Sequence, residues 1–471
     1  MSGAGLSALA LPGLARARTA LAWAAPVPGV SAFVTAPSLT PPTVTVSALN
    51  GPSPGYLFVS SLNGPGQRGP AILDNHGRVV WFRPVKTVAI NFSRQLYAGE
   101  PVLTWWEGTI SSTGIGQGEG VIVDQSYKTV ARVQAGNGFQ ADVHEFLLTP
   151  AGTALITVFN AVQADLSAVG GPVNGTVLDS ILQEIDVRTG KVLLEWHSLD
   201  HVPITDTYSP VLDPFDYFHM NSIDVDPLDG NLIISARNTS AIYKLDRKTG
   251  QVLWRLNGRS SDFQLGLDAP FMYQHDARMH TDGTLTLFDD GPSASSADSR
   301  GLRLGLDFGA MRADVLQQYH HPTPLAASAM GNAQILPGDA VLVGWGTEPY
   351  FTEFGPAGDV RLDAKFDGDA WNYRAFRDVW VGRPTTKPAV AALKKNGKVT
   401  VYASWNGSTE TAYWRVAAGE TRAGLQTVKT VTAVPFETAV PVAGRPAFVS
   451  VTALDGSRKP LATSLVAAVR G

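Results

Sequence analysis

One hairpin recurs six times along this chain, and no other feature narrows the choice of fold as much. An alternating strand usually ends in Asp, two or three turn residues including Gly follow, and a second alternating strand leads away. Copies begin near Pro70, Gly120, Leu182, Ile242, Leu302 and Phe351. Glycine supplies the positive φ such a turn requires, so the pattern is a hairpin signal with a mechanism. A second kind of hairpin lies between the copies: Tyr56 to Val59, Val102 to Trp106, His144 to Phe159, His219 to Arg237, His275 to Phe288 and Asn332 to Trp345. Two hairpins per repeat make four antiparallel strands, the content of one propeller blade. The expected fold is therefore all-β, a six-bladed β-propeller. A large sandwich or jelly roll leaves the regular alternation of two hairpin types unexplained.

Domain limits follow from where the pattern starts and stops. Residues 1 to 50 read as leader and linker, ending in a Pro-rich stretch, and residues 51 to 383 as the propeller. Residues 384 to 471 hold short alternating strands, turns such as Asn396-Gly397 and Asp455-Gly456, and no histidine. This last stretch reads as an immunoglobulin- or fibronectin-like β-sandwich. Residues 6 to 25 are Ala-rich and faintly like an export signal, although Arg16 and Arg18 follow the first apolar stretch instead of preceding it. Export to the periplasm or outside is the expectation, with a plain leader as the alternative.

Composition removes several functions. The chain has no cysteine, so disulfides, thiolate metal sites and thiol catalysis are excluded together. Net charge is −4 with no basic run, which gives no reason to expect a nucleic-acid partner. No apolar run reaches the roughly 18 residues a membrane span needs. Oligomeric state leaves no mark in the sequence.

The second hairpins carry the chemistry. His144, His219 and His275 each open one, in three successive repeats, and Asn332 holds the matching place in the next. A single such histidine is usually structural, but three at one register are harder to assign to packing. Asn221 lies two residues after His219 and shares its strand face if the strand is regular. Arg237 ends the same hairpin. The adjacent carboxylates, Glu145 and Asp276, should then face away. A site of imidazoles, an amide and a guanidinium suits an oxyanion. Three histidines also suffice for zinc, so a metal-dependent hydrolase stays open beside this reading, as does a non-catalytic ligand-binding propeller. Trp105 and Trp106 are candidates for an aromatic wall, with core packing as the plain alternative. His76, His197, His201, His280, His320 and His321 read as structural or solvated.

Taken in order, Leu103-Thr104-Trp105-Trp106-Glu107-Gly108, Asp142-Val143-His144-Glu145-Phe146, Asp216-Tyr217-Phe218-His219-Met220-Asn221-Ser222, Ser235-Ala236-Arg237-Asn238 and Gln274-His275-Asp276-Ala277-Arg278 resemble the arylsulfotransferase family. Gly331-Asn332-Ala333-Gln334, Tyr373-Arg374-Ala375-Phe376 and Ala403-Ser404-Trp405-Asn406-Gly407 extend the resemblance toward the C-terminus. The resemblance implies a propeller enzyme that moves a sulfuryl group from a phenolic sulfate ester to a phenolic acceptor. It implies no 3′-phosphoadenosine-5′-phosphosulfate and a sulfohistidine intermediate; no cofactor or catalytic metal is expected. By motif the nucleophile falls on His275, with His144, His219, Asn221 and Arg237 supporting it. The chain departs from familiar bacterial members in its C-terminal sandwich and its lack of a disulfide.

Overall fold

A computed structural model describes residues 27–291 and 299–471. The residues of the expected export signal lie outside the described ones. Among the described residues the regular structure is β-strand apart from three short 3₁₀ turns. Six antiparallel sheets follow one another along the chain, and each of the six Asp–Gly hairpins forms the last two consecutive strands of one of them.

The second sheet comprises Val88–Tyr97, Glu100–Ile110, Gly116–Val123 and Thr129–Val133, and the third Phe146–Leu148, Thr153–Ala164, Gly175–Asp186 and Val192–His197. The fourth is built from Met220–Val225, Leu232–Ala236, Ala241–Leu245 and Val252–Leu256. The fifth takes His275–Met279, Thr284–Asp289, Arg300–Asp307 and Arg312–Tyr319, with Gln264–Leu265 added in parallel.

The first and sixth sheets borrow strands from distant parts of the chain. Tyr56–Ser61, Gly69–Leu73 and Val79–Phe82 gain their first strand from Phe376–Asp378. Asn332–Ile335, Val341–Gly344, Tyr350–Phe354 and Val360–Phe366 gain a fifth from Val44–Leu49. That strand lies in the segment expected as linker. Its alternating half-buried and exposed residues explain the misreading, because a strand added to a sheet edge has only one covered face.

Strand alternation orders the sheets in space. Successive side chains point to opposite faces of a sheet, and here both faces are covered. Phe58 and Ile72 pack with Phe92, Leu103 and Trp105 of the second sheet, whereas Leu57, Val59 and Leu73 pack with Leu342, Phe351 and Leu362 of the sixth. The same division repeats onward. Ile122 meets Phe146 and Ile156, Leu155 and Leu182 meet Ile223 and Ile234, Ile233 and Ile242 meet Leu285 and Leu302, and Phe288 meets Val343 and Trp345. Each sheet packs on the next, and the sixth returns to the first.

Residues beyond 388 form two further sheets, Ala389–Lys395 with Lys398–Ser404 and Glu437–Val442, and a five-stranded one centred on Tyr413–Gly419 and Phe448–Leu454. Val401, Trp414, Val416, Val440 and Val451 fill one apolar core between them. Asn406 ties this pair to the first sheet, accepting from the Phe82 N–H at 3.0 Å and donating to the Phe82 carbonyl at 2.9 Å.

Candidate functional site

The histidines of three consecutive sheets stand at the same end of their first strands: His144 just before Phe146–Leu148, His219 just before Met220–Val225, and His275 opening His275–Met279. Their backbones depart from regular strand. His219 has φ 57° and Asp276 φ 54°, in the left-handed region, which His and Asp enter more readily than most residues. The pairing shifts register between Met220 and Ser222 and between His275 and Arg278.

Each imidazole is held at Nδ1 by an aspartate. The pairs are His144 with Asp142 at 2.5 Å, His219 with Asp216 at 2.5 Å and His275 with Asp290 at 2.6 Å. A carboxylate on Nδ1 fixes ring orientation and favours the tautomer with its lone pair on Nε2. His144 and His219 meet edge-to-face with centroids 4.7 Å apart. Tyr373, buried and not singled out as a site residue from the sequence, stands 6.0 Å from the His144 ring and 6.4 Å from the His275 ring.

Burial disfavours the imidazolium and pushes His275 well below the usual histidine range, and the Arg237 guanidinium adds to the effect. Burial likewise pushes the Asp290 carboxyl well above its usual range. The Met330 N–H meets Nε2 of His275 at 3.2 Å, so Nε2 is the acceptor and the proton of the neutral ring lies on Nδ1, toward Asp290. His219 is also lowered by burial, against the pull of Asp216. Burial opposes ionisation of Asp142, but His144 and the N–H groups of Gly116 and His144 outweigh it and hold that carboxyl below its ordinary value.

Arg237 stacks on Tyr273 at 4.7 Å and donates to Asn238 Oδ1 at 3.0 Å and to the Ser328 carbonyl at 3.1 Å. The segment that receives Arg237 through Ser328 therefore also reaches His275 through Met330.

Several expectations need correction. The histidine cluster is not poor in carboxylates, because Asp142, Asp216 and Asp290 back it. Glu145 and Asp276 do turn away from the imidazoles, yet they are buried in an ionic network. Arg374 lies 3.1 Å from each of them, and Arg278 reaches both at 2.6 Å. Arg374 also donates to the carbonyls of His144 at 3.3 Å and Asn221 at 2.9 Å, joining four sheets at one point.

Asn221 does not share a face with His219, since the register shift intervenes. Its Nδ2 instead clamps the Gln274 carbonyl at 2.7 Å. Asn332 is likewise a clamp, donating to the Ala375 carbonyl at 2.8 Å and accepting its N–H at 2.9 Å. Trp105 and Trp106 are interior. Their N–H groups are taken by Glu107 at 3.0 Å and the Ala141 carbonyl at 3.1 Å. A Cβ at Gly108, Gly116 or Gly118 would come within 3 Å of the Trp106 ring, so these glycines make the slot it fills. Neither indole forms an aromatic wall. Among the described residues no three His, Cys, Asp or Glu side chains come together as a metal's ligand set.

The arylsulfotransferase (ASST) family model matches residues 93–367, more than half of the chain and all three histidine-bearing sheets. The chain belongs to the arylsulfotransferase family. No curated protein matches it. Among solved structures, a protein of unknown function from Bacteroides caccae is 12% identical, covering 69% of this chain and 98% of that one at a TM-score of 0.41. Virginiamycin B lyase from Staphylococcus aureus is 10% identical over 78% and 96% at 0.32, and Kuenenia stuttgartiensis hydrazine synthase 13% identical over 68% and 77% at 0.31. At these scores the likenesses bear on neither fold nor chemistry.

Proposed function

We propose that the chain is a six-bladed propeller sulfotransferase with a C-terminal sandwich. In this reading it moves a sulfuryl group from a phenolic sulfate ester to a phenol through a sulfohistidine on His275, with no nucleotide carrier. The cyclic packing of six sheets and the borrowed strands of the first and sixth support the propeller. The single observation that carries the chemistry is the set of three Asp-held imidazoles beside Arg237, at one end of three successive sheets.

The steps follow from the residues. Sulfuryl transfer resembles phosphoryl transfer in spreading charge over three equatorial oxygens, so positioning and charge stabilisation do most of the work. The Nε2 lone pair of His275, giving up the Met330 N–H, forms a bond to sulfur as the bond from sulfur to the aryl oxygen breaks. Arg237 holds the sulfuryl oxygens, exchanging its Ser328 contact for them. Asp290, accepting Nδ1–H, keeps the ring oriented as positive charge builds on it. A second phenol then attacks the sulfur, breaks the N–S bond and restores neutral His275. The His219 side chain is more exposed than that of His144, at 12% against 5%. It takes the proton of the acceptor phenol and returns it to the leaving oxygen of the next donor.

Initial rates measured against both 4-nitrophenyl sulfate and a phenolic acceptor test the proposal. Parallel double-reciprocal lines that vanish in His275→Ala are expected. Converging lines, or turnover retained in that variant, contradict a histidine-borne intermediate.

A further inference from the structure

With both tryptophans in the interior, the site still needs a surface for an aromatic ring, and the third sheet supplies one. Thr153–Ala164 and Gly175–Asp186 pair along twelve positions, whereas the preceding Phe146–Leu148 covers only Ala154 to Ile156. From Thr157 outward the hairpin therefore extends past the first strand, on the side of the histidines. Side chains at i and i+2 share a face. Thr157 uses this face to donate to Asp142 Oδ2, the carboxylate that holds His144, at 3.2 Å. Two residues on, the Phe159 ring stands 5.5 Å from the His144 ring and 5.5 Å from the His219 ring. It is only half-buried, and Ala161, next on the same face, is small and exposed.

We propose that Phe159 is the specificity-determining residue on which the aryl ring of donor and acceptor rests. This rests on the sulfotransferase reading above and names the group that selects its aromatic substrates. Flat apolar rings gain from offset or edge-to-face contact with such a surface beyond the area they bury. A ring lying on Phe159 brings its phenolic oxygen beside His219, where the proton transfer takes place. The contact is the same before and after sulfuryl transfer, so it acts on KM more than on kcat.

Steady-state kinetics of Phe159→Ala, Phe159→Leu and Phe159→Tyr with 4-nitrophenyl sulfate and 2-naphthyl sulfate test this. For Phe159→Ala, KM should rise about tenfold or more while kcat falls by much less, with the larger ring losing more. Phe159→Tyr should restore KM, and Phe159→Leu, which keeps apolar volume without the flat face, should fall between. An unchanged KM, or a fall in kcat alone, overturns the proposal and leaves Phe159 as a prop for the two imidazoles. Wild-type enzyme that fails to turn over either ester overturns the sulfotransferase reading itself, a distinguishable result.

Discussion

The main-chain N–H of Met330 donates to Nε2 of His275, at 3.2 Å, while Nδ1 of the same ring is held by Asp290. One nitrogen is thus fixed as donor and the other as acceptor, so Nε2 carries the lone pair needed for attack on sulfur, and the Met330 N–H must let go of it first. Met330 adopts φ 72°, an uncommon value for a non-glycine residue, to bring its N–H there.

The pH dependence of kcat/KM follows from this arrangement. Burial and the Arg237 charge hold His275 well below the usual histidine range, so it stays unprotonated to lower pH than a free imidazole. Attack requires the unprotonated form. The acid limb for 4-nitrophenyl sulfate should therefore fall below about pH 6.5, the ordinary histidine value. In Arg237→Gln the limb should move upward, because a repelling charge is gone.

Removing the Asp290 carboxylate should affect rate more than binding. Asp290→Asn can offer its amide N–H to Nδ1, which moves the ring proton to Nε2 and removes the nucleophilic lone pair. A loss in kcat of roughly 10³–10⁴-fold is expected, by comparison with the analogous change in serine-protease triads. The tautomer can be read independently from the imidazole ¹⁵N shifts.

Arg374 should prove a stability residue. It neutralises Glu145 and Asp276 and ties the carbonyls of His144 and Asn221, all out of water. Arg374→Met leaves buried carboxylates short of a counter-charge, which should cost about 3–5 kcal/mol in urea unfolding. A change below about 1 kcal/mol contradicts the structural role.

Trp106→Ala should likewise destabilise, by about 3–5 kcal/mol, since the slot lined by Gly108, Gly116 and Gly118 is left empty. KM for the aryl ester in the folded fraction should stay within a few-fold of wild type. A selective rise in KM restores the aromatic-wall reading.

How much of this was legible in the sequence depends on the range of each interaction. Alternation and Asp–Gly turns are local signals, and they located all six late hairpins. The first strand of the first sheet was not legible, because Phe376–Asp378 lies more than 300 residues from its partner Tyr56–Ser61. The histidines were found by register, yet their aspartates were passed over. Asp142 and Asp216 lie two and three residues before His144 and His219, a spacing visible in the motifs already quoted. Asp290 is supplied across a hairpin and left no local trace. Asn221 was misplaced because alternation fails at a register shift, and Trp105 and Trp106 because an interior indole and a ligand-facing one look alike in sequence.

The central claim is that His275 carries the sulfuryl group. Its most direct test is rapid quench of the enzyme mixed with excess 4-nitrophenyl sulfate, followed by intact mass and peptide mapping. The expected result is a single sulfuryl-sized increase on the peptide containing His275, formed as nitrophenol is released, discharged by added phenol and absent in His275→Ala. Release of nitrophenol with no mass increase, or an increase located elsewhere, contradicts it.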